Sequence, residues 1–340
     1  MNATERLNLL KSNAMEIVTE EELVKILKDK ESPVMYVGLE PSGFIHIGTM
    51  IVIRKLIDFR EAGFTVNVLL ADWHAMLNDK LDGDLEKIKR AGMHMRNVFE
   101  SFGVDANFIW ASDLIEKSDY WATVLKIAKS STISRIKRAM TIMGRKEGDA
   151  DADVSKMIYP CMQVADIFKL GVDVAYAGMD QRKAHMLARD VSDKYGWKKV
   201  VALHTPILSG LKGSMRMDSF EGKMSKSNPE AAVLVTDSDK DIERKILKAY
   251  CPEKKIEDNP IIEIIQYLIL PWIHEFRLIR EDKYGGAKTY NNIADLREDY
   301  QKGLIHPMDL KISVKNGIIS ILEIGRDKIK NMVIENSPGA

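Results

Sequence analysis

Two short segments carry side chains suited to a polyphosphate. The first, Tyr36-Val-Gly-Leu-Glu-Pro-Ser-Gly-Phe-Ile-His-Ile-Gly-Thr49, reads as a strand end, a turn through Gly38, Pro41 and Gly43, and a helix mouth holding His46 and Gly48. A helix N-terminus offers unpaired N–H groups and partial positive charge, which suits a nucleotide phosphate. Gly48 lets the backbone approach a base or ribose, and His46 is able to donate a hydrogen bond to a phosphate oxygen as its charge changes. Taken alone, His46 fits a capping histidine at a tight turn equally well. The second segment, Lys223-Met-Ser-Lys-Ser227, lies in a Gly-, Ser- and Met-rich stretch from Ser209 to Asn228. Its two lysines form a polycation able to close over a triphosphate and stabilise charge that builds only in the transition state. In isolation such a stretch reads as solvated surface.

A third cluster makes a different demand. Tyr159-Pro-Cys-Met-Gln-Val-Ala-Asp166 has helical spacing that puts Tyr159, Gln163 and Asp166 on one face, with Met162, Ile167 and Leu170 holding the other side against a sheet. Polar side chains aimed into a domain need polar partners, either a ligand or a network between helices, because burying them unpaired is costly. Gly178-Met-Asp-Gln-Arg-Lys183 follows a strand and adds Gln181. From Trp121 to Lys146 the chain carries Lys126, Lys129, Arg135, Lys137, Arg138, Arg145 and Lys146 and no acidic residue. That is a positive stripe fit for nucleic-acid phosphates, or a solvated helix face. Glu147-Gly-Asp-Ala-Asp-Ala-Asp153 lacks the glycine and bidentate glutamate of an EF-hand loop, and reads as a connector with no metal site.

His46-Ile-Gly-Thr49 and Lys223-Met-Ser-Lys-Ser227 resemble the two signature motifs of class I aminoacyl-tRNA synthetases. The second matches in full. The first departs at Thr49, where that family normally has a second histidine; threonine keeps a hydroxyl donor but carries no charge. From about residue 34 to 330, including Leu69-Leu-Ala-Asp-Trp-His74, the chain resembles the tyrosyl-tRNA synthetase family of the compact archaeal and eukaryotic type.

The resemblance implies activation of L-tyrosine by ATP, accompanied by Mg2+, to tyrosyl-adenylate, then transfer to the terminal ribose of tRNA(Tyr). It implies a tyrosine pocket of Tyr36, Leu69, His74, Tyr159, Gln163, Asp166 and Gln181. It implies ATP binding at Gly38, Glu40, Ser42, Gly43, His46 and Gly48, and catalysis by His46, Thr49, Lys223 and Lys226. The tRNA would meet Arg135, Lys137, Arg138 and Arg182 at its acceptor end, and Tyr284, His306 and Asp309 at its anticodon. A homodimer joined through residues 105–135 is implied as well. Chemically, Asp166 accepting from the substrate hydroxyl and Tyr36 donating to it would exclude phenylalanine without editing, a rejection for which a tyrosyl enzyme is the standard illustration.

Three alternatives stay open on the sequence. A tryptophanyl enzyme of the same fold is opposed by Tyr36 and Asp166, since an indole has one donor and no acceptor. A nucleotidylyltransferase has no need of Ile305-His-Pro-Met-Asp-Leu-Lys311. A non-catalytic tRNA-binding homologue has no need of an intact Lys223–Ser227 motif. Without the resemblance, His306-Pro-Met-Asp309 reads as a helix start.

The elements that must position these groups alternate in period. The capping box Thr19–Glu22 starts a helix that Pro33 stops. Strands are expected at 34–37, 66–71, 106–110, 173–177 and 200–203, and helices at 47–62, 85–102, 157–170 and 181–195, with Gly63 as a C-cap. Such alternation predicts an α/β fold, a Rossmann-like doubly wound parallel sheet. After about residue 236 only helical spacing remains: 239–250, 261–279, 292–302 and 308–332. The expected domains are therefore 1–235, with a basic helical insertion at about 105–150, and an all-helical 236–340.

Within 340 residues, 45% are hydrophobic and 29% charged, the balance of a globular chain long enough for two domains. Lys plus Arg and Asp plus Glu are 50 each, which excludes binding of nucleic acid through bulk charge but not through a local basic face. Two cysteines make no disulfide framework and point to a reducing, cytoplasmic compartment. Residues 1–18 have no signal-type apolar core, and no run reaches the roughly 18 apolar residues of a membrane span.

Overall fold

The structure, a computed structural model, describes residues 1–144, 153–213, 224 and 229–336. Local chemistry starts and stops the elements where the sequence places the signals. The Thr19 hydroxyl accepts from the Glu22 N–H at 3.2 Å and the Glu22 carboxylate from the Thr19 N–H at 3.3 Å, so helix Glu20–Asp29 opens on a complete capping box. Gly63, at φ +83°, closes helix Thr49–Glu61 in the left-handed conformation that a Cβ would strain.

Six strands form one sheet: β1 (Glu16–Val18), β2 (Val34–Leu39), β3 (Thr65–Leu70), β4 (Asn107–Trp110), β5 (Val174–Gly178) and β6 (Val201–Thr205). Their order is β1-β6-β5-β2-β3-β4. β2 to β6 pair in parallel, while β1 runs antiparallel to β6 with Glu16 opposite His204. Burial follows the doubly covered pattern, with every residue of β6 and all but the first of β3 buried. The chain winds outward from β2 through β3 and β4, then returns to build β5 and β6 on the other side. Strand order therefore reverses between β2 and β5, where an open α/β sheet leaves a crevice beyond its strand ends.

The described residues form two compact units, built mainly from residues 1–43 with 55–206, and from residues 44–54 with 207–334. The first holds the sheet. The segment before β1 proves ordered: helix Ala3–Lys11 carries its own capping box, Asn2 to Glu5, and buried Arg6 donates to the carbonyls of Ala62 and Leu27 at 2.6 and 3.0 Å. The second unit is helical beyond residue 236, with helices Asp239–Lys248, Pro260–Ile264, Leu270–Ile273, Ile293–Gln301 and Pro307–Asn336.

It also holds a two-stranded antiparallel ribbon, Phe276–Leu278 against Lys288–Tyr290, which corrects the all-helical expectation. The expected helix 261–279 ends at Ile273 because His274 turns left-handed, φ +64°. After it, Phe276-Arg277-Leu278 alternates buried, exposed, buried, a strand pattern three residues long that the preceding apolar run obscures.

Candidate active site

β2 carries Tyr36 into the middle of the sheet, where it is 1% exposed, and Leu69 of β3 lies in the same apolar cluster. Helix Val154–Lys169 is buried over Tyr159–Ile167, so its polar face has no access to bulk water. Asp166 is the focus. Its Oδ1 accepts from the Tyr120 hydroxyl at 2.8 Å, and its Oδ2 lies 3.1 Å from His74 Nε2. The histidine contact is close but poorly aligned, and neither His74 nitrogen has a hydrogen-bond partner among the described residues, so it is an electrostatic contact.

Burial works against protonated His74, yet the Asp166 carboxylate, with Glu40 and Asp72 behind it, lifts its pKa above the ordinary value. Burial first, and the Asp166 charge second, hold the Tyr36 hydroxyl far above the usual phenol range. Tyr36 is thus a neutral donor within electrostatic reach of the Asp166 carboxylate. The absence of a side chain at Gly38 leaves room for its ring, since a Cβ there would sit 3.2 Å from the Tyr36 oxygen.

A second polar group lies around Glu40. The Tyr159 hydroxyl donates to Glu40 Oε1 at 2.7 Å, and the Asn78 amide donates to both Glu40 oxygens at 3.0 and 3.1 Å. Glu40, expected with the nucleotide, therefore shares a site with a residue expected at the amino acid. Gln163 Nε2 donates to Gln181 Oε1 at 3.2 Å, and Gln181 Nε2 to the Ile142 carbonyl at 2.9 Å. The buried Gln163 Oε1 accepts from nothing among the described residues, an acceptor in need of a donor.

The helix mouth is built by backbone pairing in the second unit. His46 bridges Leu234, the Ile47 N–H donates to the Val233 carbonyl at 2.9 Å and the Val235 N–H to the Ile45 carbonyl at 2.9 Å. Thr49 then opens its helix. His46 Nδ1 accepts from the Gly48 N–H at 3.1 Å, so a neutral ring carries its proton on Nε2. A Cβ on Gly48 would lie 2.8 Å from that ring, so this glycine is required by its neighbour as well as by any ligand. Gly43 is left-handed, φ +99°, and the Ser42 hydroxyl donates to the Glu40 carbonyl at 3.1 Å. Lys223 and Lys226 lie outside the described residues; Met224 between them is buried, its N–H donating to the Leu208 carbonyl at 2.9 Å.

Of the expected tRNA contacts, Lys137 and Arg138 are exposed, and Arg135 is ion-paired to Asp190 at 2.5 Å. Arg145 and Lys146 lie outside the described residues. Arg182 is held by Glu16 through three contacts of 2.7 to 3.0 Å. In the second unit Tyr284 is 61% exposed, His306 Nδ1 accepts from the Met308 N–H at 3.2 Å, and Asp309 sits in the first turn of helix Pro307–Asn336. Arg280 joins the Tyr284 turn to this helix start, donating to the carbonyls of Gly286 at 2.8 Å and Leu304 at 2.6 Å. Tyr120 escaped the sequence reading. Helix Ser118–Ser130 marks it only as a buried position with Val124 and Ile127 at i, i+4, i+7 spacing, and its value comes from meeting Asp166, 46 positions along the chain.

The chain has relatives among known proteins. The family model described as tRNA synthetases class I (W and Y) matches residues 28–323. A tyrosine–tRNA ligase of Saccharolobus islandicus is 48% identical over 336 residues, covering 95% of this chain and 93% of that protein. The crystal structure of tyrosyl-tRNA synthetase from Aeropyrum pernix superposes with a TM-score of 0.88 at 43% identity, covering 99% of each chain. That from Archaeoglobus fulgidus, complexed with L-tyrosine, has a TM-score of 0.88 at 44% identity over 96% of this chain and 100% of that one. A sheet whose order reverses beside a buried Tyr–Asp–Tyr cluster, a His-x-Gly helix mouth and full-length identity of this degree lead to one assignment: the chain belongs to the class I tRNA synthetases, among the tyrosine–tRNA ligases.

Proposed function

We propose that this chain activates L-tyrosine with ATP, releasing pyrophosphate, and transfers the tyrosyl group to the 3′-terminal ribose of tRNA(Tyr). The observation that carries the reading is Asp166, buried between Tyr120 and His74 and within electrostatic reach of buried Tyr36. A phenolic hydroxyl entering there donates to the carboxylate and accepts from Tyr36. Phenylalanine would leave both unpaired, and an indole offers no acceptor. Leu69 supplies a wall for the ring, and His74 stands 3.1 Å from the second Asp166 oxygen. At the other end, Glu40, the Tyr159 hydroxyl oxygen and the unpaired Gln163 Oε1, with Gln181, supply acceptors for the ammonium.

The substrate carboxylate attacks the α-phosphate of ATP: a carboxyl C–O–P bond forms, the α–β phosphoanhydride bond breaks, and pyrophosphate leaves. No protein nucleophile is required, so the chain contributes position and electrostatics. We assign His46, the Gly48 backbone, Gly38, Ser42 and Gly43 to ATP, Thr49 to a hydroxyl donor, and Lys223 and Lys226 to the leaving pyrophosphate. Mg2+ is assigned to the nucleotide phosphates; among the described residues no three His, Cys, Asp or Glu side chains converge on one point.

Arg135, Lys137, Arg138 and Arg182 are assigned to the acceptor end of tRNA, and Tyr284, His306 and Asp309 to the anticodon. This divides labour between residues 1–235 and 236–340. An apolar groove of about 390 Å³, whose lining includes Trp121, Leu125, Ile133 and Ile158, is assigned to a second copy of the chain. No helix among the described residues is long and apolar enough to cross a membrane; with both described cysteines free, we assign a cytoplasmic setting.

The test is amino-acid-dependent ATP–pyrophosphate exchange, expected with tyrosine and absent with tryptophan and phenylalanine. Exchange with none of the amino acids would leave only a tRNA-binding role. Asp166→Ala is expected to damage tyrosine discrimination more than ATP affinity; the reverse would overturn the pocket. Leu125→Glu is expected to shift the sedimentation coefficient from dimer to monomer.

A further inference from the structure

Glu40 belongs to the amino-acid end of the pocket, and its position is set by a side chain with no role so far. Asn78, 6% exposed, caps the C-terminal end of helix Asp72–Leu77. Its Nδ2 lies 3.0 and 3.1 Å from the two Glu40 oxygens and 3.1 Å from the Met143 carbonyl. All three partners only accept, so the amide nitrogen must face them, one hydrogen across the carboxylate and one to the carbonyl. The Met143 carbonyl belongs to a short turn that the pocket grips elsewhere, through Gln181 on the Ile142 carbonyl at 2.9 Å and Lys183 on the Thr141 hydroxyl at 3.0 Å.

Asn78 and the Tyr159 hydroxyl are neutral donors, so they orient Glu40 without neutralising it. Among the described residues the cation paired with Glu40 is Lys80, which stands off at 3.6 Å and is one-third exposed. A carboxylate held this way presents its oxygens to a cationic ligand and is kept from swinging away from it.

We propose that Asn78 is a positioning residue for amino-acid activation, aiming the Glu40 carboxylate at the substrate ammonium and locking it to the Ile142–Met143 backbone. The proposal rests on the tyrosine-activation reading above. Its signature is selectivity for the ammonium, which a merely structural role would not show.

The full-length Asn78→Ala chain is assayed by tyrosine-dependent exchange with two inhibitors. Tyramine keeps the ammonium and lacks the carboxylate; 3-(4-hydroxyphenyl)propionate keeps the carboxylate and lacks the ammonium. Inhibition by tyramine is expected to weaken about tenfold, with the propionate within about twofold of wild type, as for loss of one charge-assisted hydrogen bond. Equal weakening of both, or of neither, overturns the proposal.

Should that variant not fold, the isosteric Asn78→Asp serves. Of two carboxylates in contact, one holds its proton above the ordinary carboxylate range, so tyramine binding to this variant is expected to strengthen relative to wild type as pH rises and that proton leaves. Among the described residues, Lys80, Tyr159 and His74 around Glu40, and Asp79 and Lys156 beside Asn78, are common to both chains and cancel in the comparison. A variant profile parallel to wild type overturns the proposal. Wild-type protein that fails to exchange with tyrosine overturns the underlying reading and the proposal with it, whereas exchanging wild type with parallel inhibitor losses overturns the positioning role alone.

Discussion

Asp166 is approached on one oxygen by Tyr120 and on the other by His74, and both contacts are buried. An ionised carboxylate survives such burial only with donors and positive charge around it. Tyr120 supplies the donor, and its hydroxyl also lies 3.2 Å from the Met162 carbonyl, which keeps the phenol on the helix that carries Asp166. Removing that hydroxyl leaves Asp166 free to rotate and less well solvated. Tyr120→Phe is therefore expected to raise the KM for tyrosine by about tenfold, the equivalent of one hydrogen bond to a charged group, while the KM for ATP stays within about twofold. Steady-state exchange kinetics with each substrate varied would check this, and an unchanged KM for tyrosine would show that Tyr120 does not orient the carboxylate.

At the scale of elements, two short constructions do most of the positioning. Helix Val154–Lys169 has no solvated stripe between Tyr159 and Ile167, so three of its polar side chains must be satisfied internally or by a ligand. The helix mouth at 46–49 depends on a different constraint. The His46 ring folds onto its own backbone, 3.1 Å from the Gly48 nitrogen, and fills the space where a Cβ would stand. Gly48→Ala must displace the ring, because the nearest atoms, at 2.8 Å, belong to the imidazole and not to a flexible chain end. We expect kcat for adenylate formation to fall by about a hundredfold, the cost of roughly an ångström of misplacement. Equilibrium binding of tyrosine, measured by calorimetry, should be unaltered.

At the scale of the whole molecule, equal numbers of acidic and basic residues conceal strong local pairing. Arg182 is the clearest case, locked to Glu16 on the edge strand, so binding of tRNA at this arginine requires that ion pair to open or be shared. Glu16 also contacts His204 Nδ1 at 3.0 Å, and His204 Nε2 lies 3.0 Å from His185 Nδ1. Burial, then the neighbouring His204, push His185 down to about 3. Burial also lowers His204, although Glu16 pulls it upward.

The unfolded chain therefore takes up these two protons more readily than the folded chain once pH falls below about 6.5. Stability is complete above that pH and is lost as pH falls, toward about 3 for His185. The slope is up to about 1.4 kcal/mol per pH unit for each histidine. Urea unfolding of wild type and His185→Gln across that window should show the shallower slope in the variant; identical slopes would mean that His185 is protonated in the folded protein.

Much of this protein is determined by its sequence alone. The β–α alternation, the capping box at Thr19, the C-cap at Gly63, the His-x-Gly mouth and the shared face of Tyr159, Gln163 and Asp166 were all legible, because period, chirality and capping are properties of neighbouring residues. Tertiary structure decided what depends on distant partners. Tyr120 meets Asp166 across 46 positions, Asn78 meets Glu40 across 38 and Arg182 meets Glu16 across 166. Strand β1 and the 276–290 ribbon are equally products of pairing, since three residues hold too little pattern to declare a strand. Which polar groups cluster is set by where the sheet and its helices bring them, and no local period encodes that.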